Sequence, residues 1–170
     1  MNKELTKLQK RIGYTFKQGT LLELAVTHPS VLNENPDITE SNQRLEFLGD
    51  AVLQLIISEE IYRLYPQERE GALTLNRKKL VEGRFTAKLG HELGLESCLR
   101  VQTDASELAS SNSALEDAFE ALVAALYLDS GYNQAREVVL KIYGDIALRL
   151  AAILPDDNPK GRLQELVQPE

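Results

Sequence analysis

The chain has 170 residues, 43% of them hydrophobic and 26% charged, with a formal net charge of −7. That length supports one domain with a sizeable core and is barely enough for two. The acidic balance excludes a protein that grips nucleic acid through bulk charge, but not one that acts on it through metal ions or a separate basic module.

The longest wholly apolar run, Ala121 to Leu128, is eight residues, far below the ~20 needed to cross a bilayer, and the N-terminus has no signal-type apolar block. A soluble protein with no membrane association is expected. The single cysteine, Cys98, allows no internal disulfide and no CxxC metal site, and suits a reducing compartment such as the cytoplasm. It reads as a packed small hydrophobe, because no local spacing sets His28 or His91 beside it.

In chain order, Leu5, Leu8 and Ile12 recur at helical spacing among lysines, predicting a short amphipathic helix over 2–12. A second short helix from Gly19 ends near Thr27-His28-Pro29, since proline disfavours helix for the residue before it. His28 is expected to be a hydrogen-bonded structural residue. Residues 33–41 lack periodicity and read as a loop.

The stretch from Asn42 to Ile57 is the most informative. Between Leu45 and Ile57 only Glu46, Gly49, Asp50 and Gln54 are not apolar, so a central, buried helix is predicted, stopped by Pro66. At about 100° per residue, Gln43, Glu46, Asp50 and Gln54 fall within an arc of roughly 80°. Two carboxylates thus project together from a buried element, where ionised groups need a proton, a basic partner or a metal ion.

Residues 73–89 form one or two amphipathic helices with a basic face, and a further helical pattern from Leu89 to Leu99 is interrupted by Gly90 and Gly94. Residues 101–112 are expected to be a mobile loop. Ser113 and Glu116 fit a capping box, so a helix should start there and run to Leu128 before Asp129-Ser130-Gly131. On it Asp117 and Glu120 lie about 60° apart, a second carboxylate pair on an apolar rod. One long amphipathic helix is predicted over 133–154, then a Pro- and Asp-rich linker. No convincing strand occurs, and the class is all-α.

Four carboxylates on two apolar helices make a site for hard cations such as Mg²⁺ or Mn²⁺, which activate water and stabilise the oxygens of an in-line phosphoryl displacement. The blander reading, ordinary surface acids or helix-terminal charges, suits Asp117 taken alone, in a first turn, better than all four together. A di-iron carboxylate bundle would need Glu-x-x-His pairs, and Ala25 and Lys88 stand three before the two histidines. Spacing alone leads to a divalent-cation hydrolase.

The segment Asn42-Gln43-Arg44-Leu45-Glu46-Phe47-Leu48-Gly49-Asp50 closely resembles the signature of the ribonuclease III family, and Glu116-Asp117-Ala118-Phe119-Glu120-Ala121-Leu122 resembles its second acidic segment. Arg11 to Phe16, Thr27 to Ser30 and Leu126 to Gly131 are also similar to bacterial members. The resemblance implies an all-α homodimeric endonuclease domain that cuts double-stranded RNA with Mg²⁺ or Mn²⁺, leaving 5′-phosphate and 3′-hydroxyl ends. It implies that Glu46, Asp50, Asp117 and Glu120 are catalytic metal ligands, that Phe47 inserts into a partner subunit, and that Glu70 reaches the partner's cleavage site. It divides the chain into a nuclease domain over 1–154 and, over 155–170, a linker and the start of a double-stranded-RNA-binding domain that this sequence does not contain.

Three positions depart from the family pattern. Gln43 replaces the usual Glu, residues 108–113 lack the usual Gly and basic residues, and Glu116 replaces a small residue. Two alternatives make different predictions. A non-catalytic RNA-binding or ribosome-associated relative would not cut a labelled duplex in Mg²⁺. A hydrolase of small nucleotides would turn over mononucleotides as a monomer.

Overall fold

The computed structural model describes residues 3–153. Eight α-helices lie among them: α1 (Lys3–Ile12), α2 (Gly19–Ala25), α3 (Gln43–Leu64), α4 (Glu70–Val81), α5 (Gly83–Leu93), α6 (Asn112–Ser130), α7 (Tyr132–Tyr143) and α8 (Ile146–Ala152). Short 3₁₀ turns occupy Pro29–Asn33, Leu95–Ser97 and Thr103–Ser110. Among the described residues β-pairing is limited to one isolated bridge between Thr27 and Arg100, so the expected all-α class holds.

The sequence of α6 explains its place at the centre. Ala118, Ala121, Ala124 and Ala125 alternate with Leu115, Phe119, Leu122 and Leu126, and all eight are fully buried. Small side chains on several faces let neighbouring helices approach closely, and α2, α3, α5 and α7 all pack against α6, α3 most extensively. Tyr143 closes the bottom of this core, its hydroxyl donating to the Leu80 carbonyl at 2.9 Å. At the far end of α6, the Asp129 carboxylate accepts from the Tyr14 hydroxyl and from the Lys17 and Gln18 amides. The α1–α2 connection is thereby fastened to the core.

The structure departs from the sequence expectations at several punctuation points. The 133–154 helix is broken into α7 and α8 by Gly144 at φ 64° and by Asp145, which caps α8 by accepting from the Leu148 amide at 2.9 Å. Gly90 does not interrupt α5. It lies inside the helix, where a Cβ would come within 3.1 Å of the Leu115 carbonyl oxygen, and the stop falls at Gly94 in the left-handed region. The expected loop before α6 contains the 3₁₀ turn Thr103–Ser110. Helix α6 starts two residues earlier than the capping box implies: Ser111, not Ser113, is the N-cap, accepting from the Ala114 amide at 3.2 Å.

Helix α3 is central but not buried all round. Its outer face exposes Phe47, Leu55 and Tyr62, with Phe47 at 82%. Apolar composition had implied burial, and the difference is a hydrophobic surface that this chain alone leaves in contact with solvent. The boundary expected at 154/155 lies outside the described residues.

Candidate active site

The two acidic segments meet where α3 crosses α6. Gly49 sits between Glu46 and Asp50, and a Cβ there would fall 1.8 Å from the Glu120 carbonyl oxygen. The backbones therefore touch at the level of the carboxylates, and only glycine permits it. Glu46 and Asp50 come from the α3 side of this crossing, Asp117 and Glu120 from the α6 side. Glu120 is 8% exposed, and the other three are half-buried.

Burial and neighbouring carboxylates raise the proton affinity of Glu46 and Glu120. Burial pushes Glu120 up from its ordinary 4.5 to about 8, reinforced by the charges of Asp50, Glu116, Glu46 and Asp117. Glu46 is raised by burial, then by Asp117, Glu116 and Asp50. Burial raises Asp117 as well, partly opposed by His28. Gln54 donates from Nε2 to both oxygens of Asp50, at 2.9 and 3.0 Å. His28 holds the structural role expected of it, its Nδ1 accepting from the Ser30 amide.

These groups share an electrostatic neighbourhood without forming a closed cage. Among the described residues, no three His, Cys, Asp or Glu side chains stand ready around one cation position. Like charges at close quarters repel, which favours such splaying. The donor set is nevertheless all oxygen, and no lysine or arginine contributes to the shifts of Glu46, Asp117 or Glu120. One turn ahead of Glu46, Asn42 is fully buried, and both polar atoms of its side chain lack a hydrogen-bond partner. Unoffset carboxylates and an unpaired buried amide fit a hard divalent cation with its water shell.

Other sequence candidates fall elsewhere. Gln43, the first residue of α3, is exposed and takes a 3.3 Å hydrogen bond from the Ser41 hydroxyl. Glu70 begins α4, accepts from the Thr74 hydroxyl at 2.8 Å, and lines a groove with Leu55, Tyr62, Leu73 and Arg77. It does not contribute to the raised proton affinities of its own chain's cluster. Glu116 does contribute, a role that its expected capping function had hidden.

The electrostatics give a stability prediction. Native Glu120 stays protonated up to about pH 8, whereas the unfolded chain ionises it near 4.5. The unfolded state therefore binds fewer protons between those values, and stability falls as pH rises. The contribution is complete below about pH 4.5 and is lost on passing through about 8. Metal-free protein should melt about 5–10 °C lower at pH 8.5 than at pH 5.5 by calorimetry, and Glu120→Gln should flatten that slope.

The fold and site define an all-α domain with an acidic cluster where α3 crosses α6. A family profile described as Ribonuclease-III-like matches residues 18–146. Ribonuclease 3 of Pseudomonas aeruginosa is 40% identical, with 99% of this chain and 72% of that protein covered. Ribonuclease 3 of Vibrio cholerae is 41% identical, with 99% and 73% covered. The nuclease domain of ribonuclease III from Campylobacter jejuni superposes with a TM-score of 0.75 at 29% identity, covering 92% of this chain and all of that one. Dicer from Pichia stipitis has a TM-score of 0.60 at 26% identity, with 90% of this chain and 69% of that one covered. The chain belongs to the ribonuclease III family, and is an endoribonuclease of that class.

Proposed function

We propose that the protein is a Mg²⁺-dependent endoribonuclease that cuts double-stranded RNA in the cytoplasm, working as a homodimer. The observation that carries this reading is the crossing at Gly49, which joins two acidic pairs distant in sequence. Glu46, Asp50, Asp117 and Glu120 would hold the cation, with Gln54 orienting Asp50 through its paired hydrogen bonds. When bound, Mg²⁺ or Mn²⁺ lowers the proton affinity of water and offsets charge on the scissile phosphate and the leaving oxygen. The half-buried carboxylates orient an attacking water. Water adds in line at phosphorus, the bond to the 3′-oxygen breaks, and the products carry 5′-phosphate and 3′-hydroxyl ends. None of the carboxylates is required as a covalent nucleophile.

Phe47, Leu55 and Tyr62 fall within about 80° on the outer face of α3, a patch suited to a second copy of this chain. A Campylobacter jejuni relative, with a TM-score of 0.74, is described for flexibility in its dimer-forming region. In this reading Phe47 enters the partner, and Glu70, in the adjoining groove, faces the partner's site. Residues 155–170 would be the linker toward an RNA-binding module.

The test is cleavage of a labelled RNA duplex in Mg²⁺, with Ca²⁺ and single-stranded RNA as controls. Duplex-specific cutting in Mg²⁺ supports the proposal. Uncut duplex, with an RNA-binding domain appended, favours a non-catalytic module. Phe47→Ala should shift the dimer to monomer in light scattering and reduce cleavage at least about tenfold, as loss of an interface anchor of about 2 kcal/mol requires. A Phe47→Ala dimer of unchanged strength would remove this residue from the interface.

A further inference from the structure

Resting on the endoribonuclease reading given above, we propose that the basic pocket between α5 and the end of α8 holds a backbone phosphate of the substrate RNA, apart from the acidic cluster.

The pocket is a concavity of about 380 Å³ lined by Lys79 of α4, by Arg84, Phe85 and Lys88 of α5 and by Arg149 of α8, with Glu82 at the corner between α4 and α5. Four of these six side chains are cationic, in a protein whose net charge is −7. Arg149 is committed to the fold. Its guanidinium donates to both oxygens of Glu92 at 2.8 and 2.7 Å and to the Tyr143 carbonyl at 3.0 Å, and it lies 5.9 Å from the centre of the Phe85 ring. It makes a fixed wall. Lys79, Arg84 and Lys88 are placed differently: among the described residues none of them makes an ion pair, with Glu82 or with any other acid. Glu92, the acid whose field reaches Lys88, is already paired with Arg149. Three unpaired cations around one hollow repel one another until an anion stands between them, and a concave site of one sign concentrates their field. A phosphate group has the oxygens that two ammonium groups and a guanidinium fork require.

Placement selects the source of that phosphate. Gly83 opens α5 with its Cα against the side chain of Glu116, where an added Cβ would stand 2.1 Å from Oε2. Glu116 precedes Asp117 and lies one turn from Glu120 on α6. On α5, Phe85 and Lys88 stand about 200° and 140° around the helix from Gly83. The acidic residues and the pocket therefore flank the same turn of α5, roughly 10 Å apart. A strand rising on the order of 3 Å per nucleotide presents further phosphates within that distance of the one being cut. The carboxylates repel these neighbours, and a duplex laid over the α4–α5 corner finds the opposite charge a few nucleotides away. Phe85 is buried beneath Arg149 and offers no open face to a base, so the contact reads the backbone and not the sequence.

The experiment titrates the full chain with a labelled RNA duplex, with Ca²⁺ in place of Mg²⁺, and follows anisotropy across a range of salt concentrations. Arg84→Ala and Lys88→Ala are compared with Lys10→Ala, which removes the same charge from an exposed position on α1. Each pocket variant should weaken duplex binding about fivefold, whatever the duplex sequence, and reduce the salt slope by about one. In Mg²⁺ the loss should appear in KM, and Arg84→Lys should recover most of it. Lys10→Ala should stay within twofold of wild type. If the pocket variants match Lys10→Ala in affinity and salt slope while wild type binds and cuts duplex, the inference falls alone. It falls equally if they lose affinity for inorganic phosphate but keep wild-type duplex binding, which would make the pocket a site for a free anion. Wild-type protein that neither binds nor cuts duplex would overturn the nuclease reading, and this inference with it.

Discussion

Glu120→Gln is expected to abolish duplex cleavage, lowering kcat by at least ~10³-fold while leaving the fold intact. Glutamine has the same shape, but one of its terminal atoms is an N–H donor that a cation repels, and it cannot supply negative charge where Glu120 does. Because Glu120 is the most strongly shifted carboxylate of the cluster, its loss also removes repulsion from the metal-free protein. The variant should therefore melt higher than wild type at pH 8.5 without metal, and gain less from added Mg²⁺. Opposite changes in stability and activity distinguish a functional acid from a structural one. A variant that cleaves within tenfold of wild type would remove Glu120 from the chemistry.

Gly49→Ala should be the most damaging single methyl in the molecule. The added carbon would lie 1.8 Å from the Glu120 carbonyl oxygen and 2.5 Å from its carbon, and neither atom is a flexible side-chain end that can swing away. Relief requires α3 and α6 to separate, which opens the packing between the two helices, both of which carry fully buried residues: Leu53 and Ile56 on α3 and the alanines of α6. A destabilisation above about 3 kcal/mol is expected in urea unfolding, more than the increase in helix propensity from Gly to Ala returns. Any folded fraction should also bind divalent ions poorly, since the two acidic pairs would no longer face one another. Wild-type stability in Gly49→Ala would show that the crossing is looser than its geometry indicates.

Much of this was readable in the residues because helix periodicity and burial conflict only at a few positions. The 80° polar arc on α3 and the pair at Asp117 and Glu120 stand out against apolar surroundings, so both halves of the acidic cluster could be named before any contact was known. What periodicity does not encode is the third dimension between distant helices. Gly49 reads as a minor weakness in a helix, and Gly90 as a break, whereas both are places where another backbone comes close. Glu116 illustrates a related limit: Ser113 and Ser111 are both competent caps, and the choice of Ser111 moves the helix start. The exposure of Phe47 was hidden because apolar composition does not distinguish a core from a surface that another chain covers.

The crossing at Gly49 ties assembly of the acidic cluster to the most extensive helix pairing in the molecule. In the proposed mechanism, a partly melted form that parts α3 from α6 no longer presents both sets of acids to one phosphate. Loss of catalysis on heating and loss of tertiary structure should consequently be a single transition. This enzyme has no margin in which it loosens first and fails later.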